Sequence, residues 1–224
     1  MKRLALAVLI LAACPALASA GVIHGTLVTP SGGARASRGM NAYPGRVSAM
    51  PAAMGAMHGL LADAVIQVDH VPAPAESALA AQIEVVPKLA QKEQTFVPRV
   101  TVVAAGSRVD FPNMDPIYHN VFSLSPTKRF DLGKYPRGQS RSVLFNKPGL
   151  VNVYCDIHSD MEAFVLVLPH HGFTRPRVNG TYALPDLPPG HYVLRAWHPD
   201  LGTVERDVDI PPEGDVTVDI RFGS

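Results

Sequence analysis

Hydrophobic and polar residues alternate with a period of two along much of the chain from residue 96 onward. This alternation places apolar side chains on one face of a strand, so it predicts β-strands that cover a core. Turn residues such as Gly106, Gly138 and Pro148-Gly149 separate the segments. The apolar positions are Val100 and Val102, Val109 and Phe111, Val143 and Phe145, Val151, Val153 and Cys155, and 164–168. Only residues 76–82 have a short helical tendency, so the pattern predicts an all-β chain with sandwich or barrel architecture.

The C-terminal part of the chain also alternates, most cleanly from Val216 to Phe222. Clean alternation indicates a strand with one solvated face. This part resembles the carboxypeptidase-regulatory or transthyretin-like sandwich in two stretches, Gly180-Thr181-Tyr182-Ala183-Leu184 and Leu187-Pro188-Pro189-Gly190-His191-Tyr192. The resemblance implies two further opening strands, which are missing just upstream.

Residues 21–29 and 60–71 have the pattern of that missing pair of strands. We therefore predict a discontinuous transthyretin-like sandwich made of residues 21–72 and 170–224, with residues 83–168 inserted as a second domain. The alternative is a linear order of domains, in which the N-terminal strands belong to the sheets of the middle domain. Residues 31–59 are rich in Gly, Ala, Ser, Arg and Met without a periodic pattern, so we expect a mobile surface loop there.

The first twenty residues have the three-part pattern of a secretory signal peptide: Lys2-Arg3, an apolar run, and Ala18-Ser19-Ala20. The apolar run is too short to span a membrane, so we expect an exported, periplasmic protein without a membrane span. A second interpretation is a lipid anchor at Cys14, because Leu11-Ala12-Ala13-Cys14 resembles a lipobox. Removing Lys2 and Arg3 leaves 18 basic against 19 acidic residues, a balance that implies no nucleic-acid partner.

Cleavage after Ala20 would leave Cys155 as the sole cysteine of the mature chain. Exported proteins normally use their cysteines in pairs, so a lone thiol calls for burial or a metal ion. The sequence Cys155-x-x-His158-x-x-Met161 directly follows a predicted strand, and His119 begins an earlier one. One thiolate, two imidazoles and a thioether form the His2Cys set with an axial Met that is diagnostic of blue copper.

Other metal sites fit this sequence less well. Zinc sites normally use paired cysteines or more imidazoles, and a binuclear copper site would need a second cysteine in the same loop. Met50, Met54, Met57 and His58 form a weaker signal, since thioethers in an exported loop suit Cu(I) but specify no geometry. The sequence therefore predicts one mononuclear copper site.

Residues 83–168 resemble the cupredoxins, and the ligand-loop spacing is most similar to that of amicyanin. The matching residues are Phe96-x-Pro98, Gly106-Ser107-x-Val109-x-Phe111-x-Asn113, His119-Asn120-Val121, Pro148-Gly149 and 153–161. The resemblance implies a Greek-key β-sandwich with His119, Cys155 and His158 as equatorial copper ligands and Met161 as the axial ligand. It also implies that Asn120 ties the two ligand loops together.

The chain departs from the cupredoxin pattern at Ile157, where many members have Pro, and at the charged residues Asp160 and Glu162 beside Met161. An oxygen donor could replace or supplement Met161, which would give a tetragonal copper site with a lower potential.

The motif resembles sites with all four positions filled, so we expect a type 1 copper protein that transfers single electrons between redox partner proteins, and not an enzyme. The overall layout resembles proteins labelled methylamine-utilisation or plastocyanin-like. A copper-delivery protein of the cell envelope is the alternative, and a structural sandwich with a vestigial site is a third hypothesis.

Overall fold

The computed structural model describes residues 20–30, 60–82 and 85–223. The predicted signal peptide up to residue 19, Cys14, and the segment 31–59 with Met50, Met54, Met57 and His58 lie outside the described residues. The described residues form β-strands with an α-helix of eight residues and a helical stretch at 60–62, which confirms the all-β prediction. No helix among them is long and apolar enough to cross a membrane.

The strands are, in chain order, β1 (Ile23–Val28), β2 (Val65–Val68), β3 (Ala90–Lys92), β4 (Thr95–Val97), β5 (Val100–Ala104), β6 (Ser107–Pro112), β7 (His119–Ser125), β8 (Lys128–Tyr135), β9 (Ser140–Phe145), β10 (Gly149–Tyr154), β11 (Glu162–Leu168), β12 (Phe173–Thr174), β13 (Thr181–Ala183), β14 (Gly190–His198), β15 (Gly202–Ile210), β16 (Val216–Thr217) and β17 (Ile220–Arg221). The helix α1 (Ala73–Ala80) lies between β2 and β3.

Strands from both ends of the chain form what we call the terminal sandwich, which contains β1, β2 and β12 to β17. One sheet has the order β13-β1-β16, with β17 also paired to β1, and the other has the order β12-β2-β14-β15. Alternation on β14 turns Tyr192, Leu194 and Ala196 inward, where they join Ile23 and Ile66 in a shared core. The N-terminal strands β1 and β2 are thus paired with C-terminal strands.

The middle of the chain forms what we call the central sandwich, which contains β3 to β11. Its larger sheet has the order β5-β11-β10-β7-β8. The hairpin β3-β4 and the two-stranded sheet β6-β9 lie opposite, and backbone bridges from Lys88 to Asp110 and from Gln91 to Asn113 join them. Alternating residues of both layers fill the core between them, including Val109, Phe111 and Val153.

A third apolar cluster joins the two sandwiches. Phe164, Leu166 and Leu168 point away from the central core on β11 and meet Val65 and Trp197 of the terminal sandwich. Strand β11 is therefore buried along both faces, which explains why its sequence is a continuous apolar run instead of an alternating one.

The helix α1 covers residues 73–80, so the short helical tendency predicted at 76–82 is placed a few residues too late. Pro72 is the N-cap and Pro74 lies in the first turn, where a proline suits a helix start because its missing N–H would have no intrahelical partner. Both carboxylate oxygens of Glu76 accept hydrogen bonds from His171, which fastens α1 to the segment after β11.

Candidate metal centre

Two neighbouring strands of the central sandwich carry the residues that the sequence singles out. His119 begins β7, and Cys155 directly follows β10, which pairs with β7 in the five-stranded sheet. His158 and Met161 lie in the loop from β10 to β11. Strand pairing therefore brings together two parts of the chain that are more than 30 residues apart.

The inward direction of Cys155 follows from the alternation along β10. Val151 and Val153 are fully buried in the central core, and Cys155 is the next residue on the same face, with 2% of its surface exposed. Its thiol is free of any disulfide. His119 enters from β7 and is completely buried. A polar imidazole in such a place needs hydrogen bonds or a metal ion.

The ligand atoms of His119, Cys155 and His158 lie within 4.8 Å of one another. The Cys155 Sγ is 3.9 Å from the His119 Nδ1 and 3.8 Å from the His158 Nδ1. The two Nδ1 atoms are 3.1 Å apart. These three residues could hold a metal ion, and the structure brings them together as the sequence pattern indicated.

The separations suit a single ion. Metal–nitrogen bonds of about 2.0 Å and metal–sulfur bonds of about 2.3 Å let one ion reach two nitrogens up to about 4 Å apart and a sulfur and nitrogen up to about 4.3 Å apart. All three measured separations are shorter than these limits. A thiolate with two imidazoles is also a donor set that suits copper. The residues present therefore fit a mononuclear metal site.

Asp115 fixes the protonation pattern of His119. Its Oδ2 is 2.8 Å from the His119 Nε2, and two backbone N–H groups, those of Glu93 and Gln94, also donate to this carboxylate. Burial acts to raise the pKa of Asp115, but the hydrogen bonds from Gln94, His119 and Glu93 together hold it below its ordinary value. An ionised carboxylate accepts hydrogen bonds only, so Nε2 is the donor, and a neutral His119 ring then turns its Nδ1 lone pair toward the other two residues.

His158 is the most exposed member of the cluster, since its side chain is only partly buried. Burial and the nearby His119 both hold the pKa of His158 below its ordinary value, so the neutral imidazole is favoured. A neutral imidazole is the form that binds metals. Because the His119 Nδ1 is an acceptor, the hydrogen bond between the two rings is donated by the His158 Nδ1–H.

Met161 lies at the end of the same loop and is 1% exposed, in the same apolar cluster as Cys155. Two backbone hydrogen bonds shape this loop: the Cys155 N–H donates to the Met161 carbonyl, and the Met161 N–H donates to the His158 carbonyl. The loop is therefore a tight turn closed by its own backbone. The role of Met161 as an axial ligand stays a prediction.

The predicted role of Asn120 is not the one that the structure shows. Its side-chain amide donates to Asp131 on β8, and its buried carbonyl oxygen has no hydrogen-bond partner. Asn120 therefore fastens β7 to β8 and does not tie the two ligand loops together. A bulge between Asn120 and Phe122 shifts the strand register here, and the sequence pattern contains no signal for it.

Asp115 is the functional residue that the sequence reasoning missed. It lies four residues before His119 in the turn after β6, where an aspartate has the ordinary interpretation of a turn residue. The only available signal was its position between Asn113 and His119. Its partners Glu93 and Gln94 are more than 20 residues away, so a local pattern cannot identify them.

No protein-family model matches the sequence, and a comparison with curated proteins finds no match either. Among solved structures, a copper-containing nitrite reductase from Thermus scotoductus SA-01 is 23% identical over 40% of this chain, with a TM-score of 0.37. This chain spans only 26% of that reductase.

Two smaller copper proteins match over nearly their whole length. A purple cupredoxin from Nitrosopumilus maritimus is 19% identical over 36% of this chain and 98% of its own, with a TM-score of 0.33. Amicyanin from Paracoccus versutus is 19% identical over 46% of this chain and 96% of its own, with a TM-score of 0.35. All three matches are copper proteins, and at these identities and TM-scores they assign no role to this chain. The chemistry of the cluster rests on its own side chains.

Proposed function

We propose that this chain is an exported type 1 copper protein that carries single electrons between redox partner proteins. The observation that carries the proposal is the convergence of one buried thiol and two imidazoles, with the His119 Nδ1 lone pair already facing the cluster. A bound copper ion would supply the one-electron change between Cu(I) and Cu(II).

The residues that would hold copper are His119 and His158 through Nδ1, Cys155 through Sγ and Met161 through its thioether. His119, Cys155 and Met161 are at most 2% exposed, so they would keep water away from the ion. Fixed ligands in a dry site resist rearrangement when the charge of the ion changes. Such a site favours rapid electron transfer over catalysis, because a substrate finds no open position.

The surface beside His158 would receive the redox partner. Apolar side chains next to both histidine positions are exposed, namely Met114, Ile117, Tyr118 and Ile157. We infer that these neighbours border the same part of the surface, because the centres of the two histidine rings lie 4.7 Å apart. An exposed apolar rim around a partly exposed imidazole is suited to a transient protein interface.

We place this activity in the periplasm because of the N-terminal pattern that ends at Ala20. Export also agrees with the use of Cys155, since a lone thiol in an oxidising compartment is protected when a metal holds it.

Copper delivery is the second candidate function, and the partial exposure of His158 favours it, because an accessible ligand offers a route for handing over the ion. The two functions differ in what happens to the metal. A carrier retains copper in both oxidation states, whereas a delivery protein releases Cu(I) to an acceptor.

Voltammetry combined with a Cu(I) chelator distinguishes these functions. We expect a reversible one-electron wave, fast electron self-exchange in NMR line-broadening, and retention of Cu(I) against the chelator over many turnovers. Slow self-exchange with rapid transfer of Cu(I) to the chelator would favour delivery instead.

A further inference from the structure

The carboxylate of Asp115 receives hydrogen bonds from three directions and is almost completely enclosed. The distances are 2.6 Å from the Glu93 N, 2.9 Å from the Gln94 N and 2.8 Å from the His119 Nε2. Its side chain is 8% exposed. The Asp115 N–H in turn donates to the Asn113 Oδ1. One carboxylate thus connects a turn of the chain with a candidate metal ligand.

The turn is built in an unusual way. Lys92 pairs with Thr95, so Glu93 and Gln94 are the two turn residues of the hairpin β3-β4, and their φ angles are 54° and 56°. Two-residue hairpins need this left-handed conformation, but Asn-Gly is the normal choice because a Cβ atom disfavours it. Two successive N–H groups in such a turn form a concave anion site, which the Asp115 carboxylate fills. The backbone of the turn, and not its exposed side chains, makes the contact.

The same hairpin is fixed to the core on its other side. Gln91 is fully buried, and its side-chain amide donates to the Tyr135 hydroxyl at 2.6 Å. The Met114 N–H donates to the Gln91 carbonyl, and the Tyr135 hydroxyl donates to the Phe111 carbonyl. The hairpin that holds the Asp115 carboxylate is therefore itself fixed to the central core.

We propose that Asp115, held by the Glu93-Gln94 turn, is a positioning residue that keeps His119 in its Nε2–H form before any metal binds and lowers the reduction potential of the copper once bound. Only the effect on the reduction potential rests on the proposed function; the effect on the His119 proton does not. A carboxylate hydrogen-bonded to a ligating imidazole increases the electron donation of that imidazole, which favours Cu(II) over Cu(I). The same hydrogen bond holds the His119 ring in the orientation that binds the ion, so the ring need not reorient when the ion arrives.

The first test needs no copper. In the metal-free protein, ¹⁵N NMR of the His119 ring should show the proton on Nε2. The variant Asp115→Asn offers an amide that can donate or accept, so the Nε2–H form should no longer be the dominant one. A wild-type ring with its proton on Nδ1 would overturn the proposal, and this result does not depend on whether the variant folds or the protein binds copper.

The second test uses the copper-loaded protein. Asp115→Asn should raise the reduction potential and weaken Cu(II) binding by about 10- to 100-fold in chelator competition, as is usual when a residue that supports a ligand is lost. Asp156→Asn is the charge control, because it removes an exposed carboxylate next to Cys155. It should change the potential less and leave the His119 proton on Nε2. If both variants shifted the reduction potential equally, the effect of Asp115 would be that of its charge alone, and the positioning role would be overturned.

A turn variant separates the backbone from the side chains. Gln94→Gly keeps the N–H donor and relieves the left-handed strain, so it should raise the thermal midpoint while the potential and the His119 proton stay as in wild type. A potential shift as large as that of Asp115→Asn would show that the Gln94 side chain, and not the turn backbone, tunes the site. If copper does not bind at all, the proposed function fails while the metal-free NMR result still decides the positioning role.

Discussion

Cys155 occupies a position where two kinds of local structure meet. It directly follows the alternating strand β10 and is the first residue of a tight loop, so its side chain continues the inward-facing positions of β10 while the chain after it turns back. The backbone of Cys155 is held on the strand side by the sheet and on the loop side by its own N–H, which donates to the Met161 carbonyl. This double constraint explains how a single cysteine can be fixed without a disulfide.

We predict that Met161→Gln lowers the reduction potential of the copper-loaded protein, because a hard amide oxygen stabilises Cu(II) more than a thioether does. The thiolate band should persist in altered form, since the two imidazoles and the thiolate remain. Voltammetry and visible spectra measure both effects. Met114→Gln is the matched control, because Met114 is 52% exposed and should leave both unchanged. If Met161→Gln also matches the parent, Met161 is not a ligand and Asp160 or Glu162 should be tested next.

Residues near one another in the chain were predictable from the sequence, and distant partners were not. Cys155, His158 and Met161 share a short loop, so spacing alone suggested a joint role for them. His119 was included because it begins an earlier predicted strand, and the resemblance to the cupredoxins then implied the same ligand. Asp115 depends on a hairpin more than 20 residues upstream, and no local pattern encodes that contact.

At the scale of elements, alternation predicted strands well wherever one face is buried. Strands β6, β9 and β10 alternate clearly and lie where the pattern placed them. The hairpin β3-β4 was not predicted, because each strand has only three residues and its turn is Glu93-Gln94 instead of a glycine-containing signal. Strand β8 has no clear apolar face, since it is an edge strand with mostly solvated positions.

Strand β1 gives a prediction at this scale, because Gly25 lies where the C-terminal segment crosses it. A Cβ atom at Gly25 would lie 1.9 Å from the Val218 carbonyl oxygen, which is backbone and cannot rotate away. Gly25→Ala should therefore lower the free energy of unfolding by about 3 kcal/mol, at the upper end for overpacking. Chemical denaturation measures the loss.

The control is Gly106→Ala. Gly106 has open space around it but a φ of 91°. An alanine there adds only backbone strain, so the free energy of unfolding should fall by about 1 kcal/mol. Equal destabilisation by both variants would show that the close approach at Gly25 is not what the fold requires.

At the scale of the molecule, the two sandwiches are joined by an apolar cluster and by one arginine. Arg99 precedes β5, and its guanidinium contacts Asp63 at 3.0 Å and Asp200 at 2.8 Å in the terminal sandwich. It also lies 5.1 Å from the centre of the Phe164 ring. No pattern in the sequence indicated this contact, because its three members are far apart in the chain. The exact domain boundaries stay a prediction.

Replacing Arg99 should weaken this junction. Arg99→Met removes the shared cation from two largely buried carboxylates, and we expect a loss of about 2 kcal/mol, the usual range for hydrogen bonds to charged groups. Trp197 is the single tryptophan of the chain and lies edge-on to Phe164, so its fluorescence reports on the junction during denaturation. The exposed Arg129→Met should change stability by less than about 0.5 kcal/mol. A similar small change for Arg99→Met would show that the ion pairs do not hold the sandwiches together.

The central claim is that one copper ion binds through the Cys155 thiolate and two imidazoles. The visible and spin-resonance spectra of the purified protein loaded with Cu(II) test it most directly, compared with those of Cys155→Ser under the same conditions. We predict an intense visible band from charge transfer between sulfur and copper in the parent protein, and its complete loss in Cys155→Ser, because serine provides no thiolate. A parent protein without this band, or a Cys155→Ser variant that stays intensely coloured, would contradict the account.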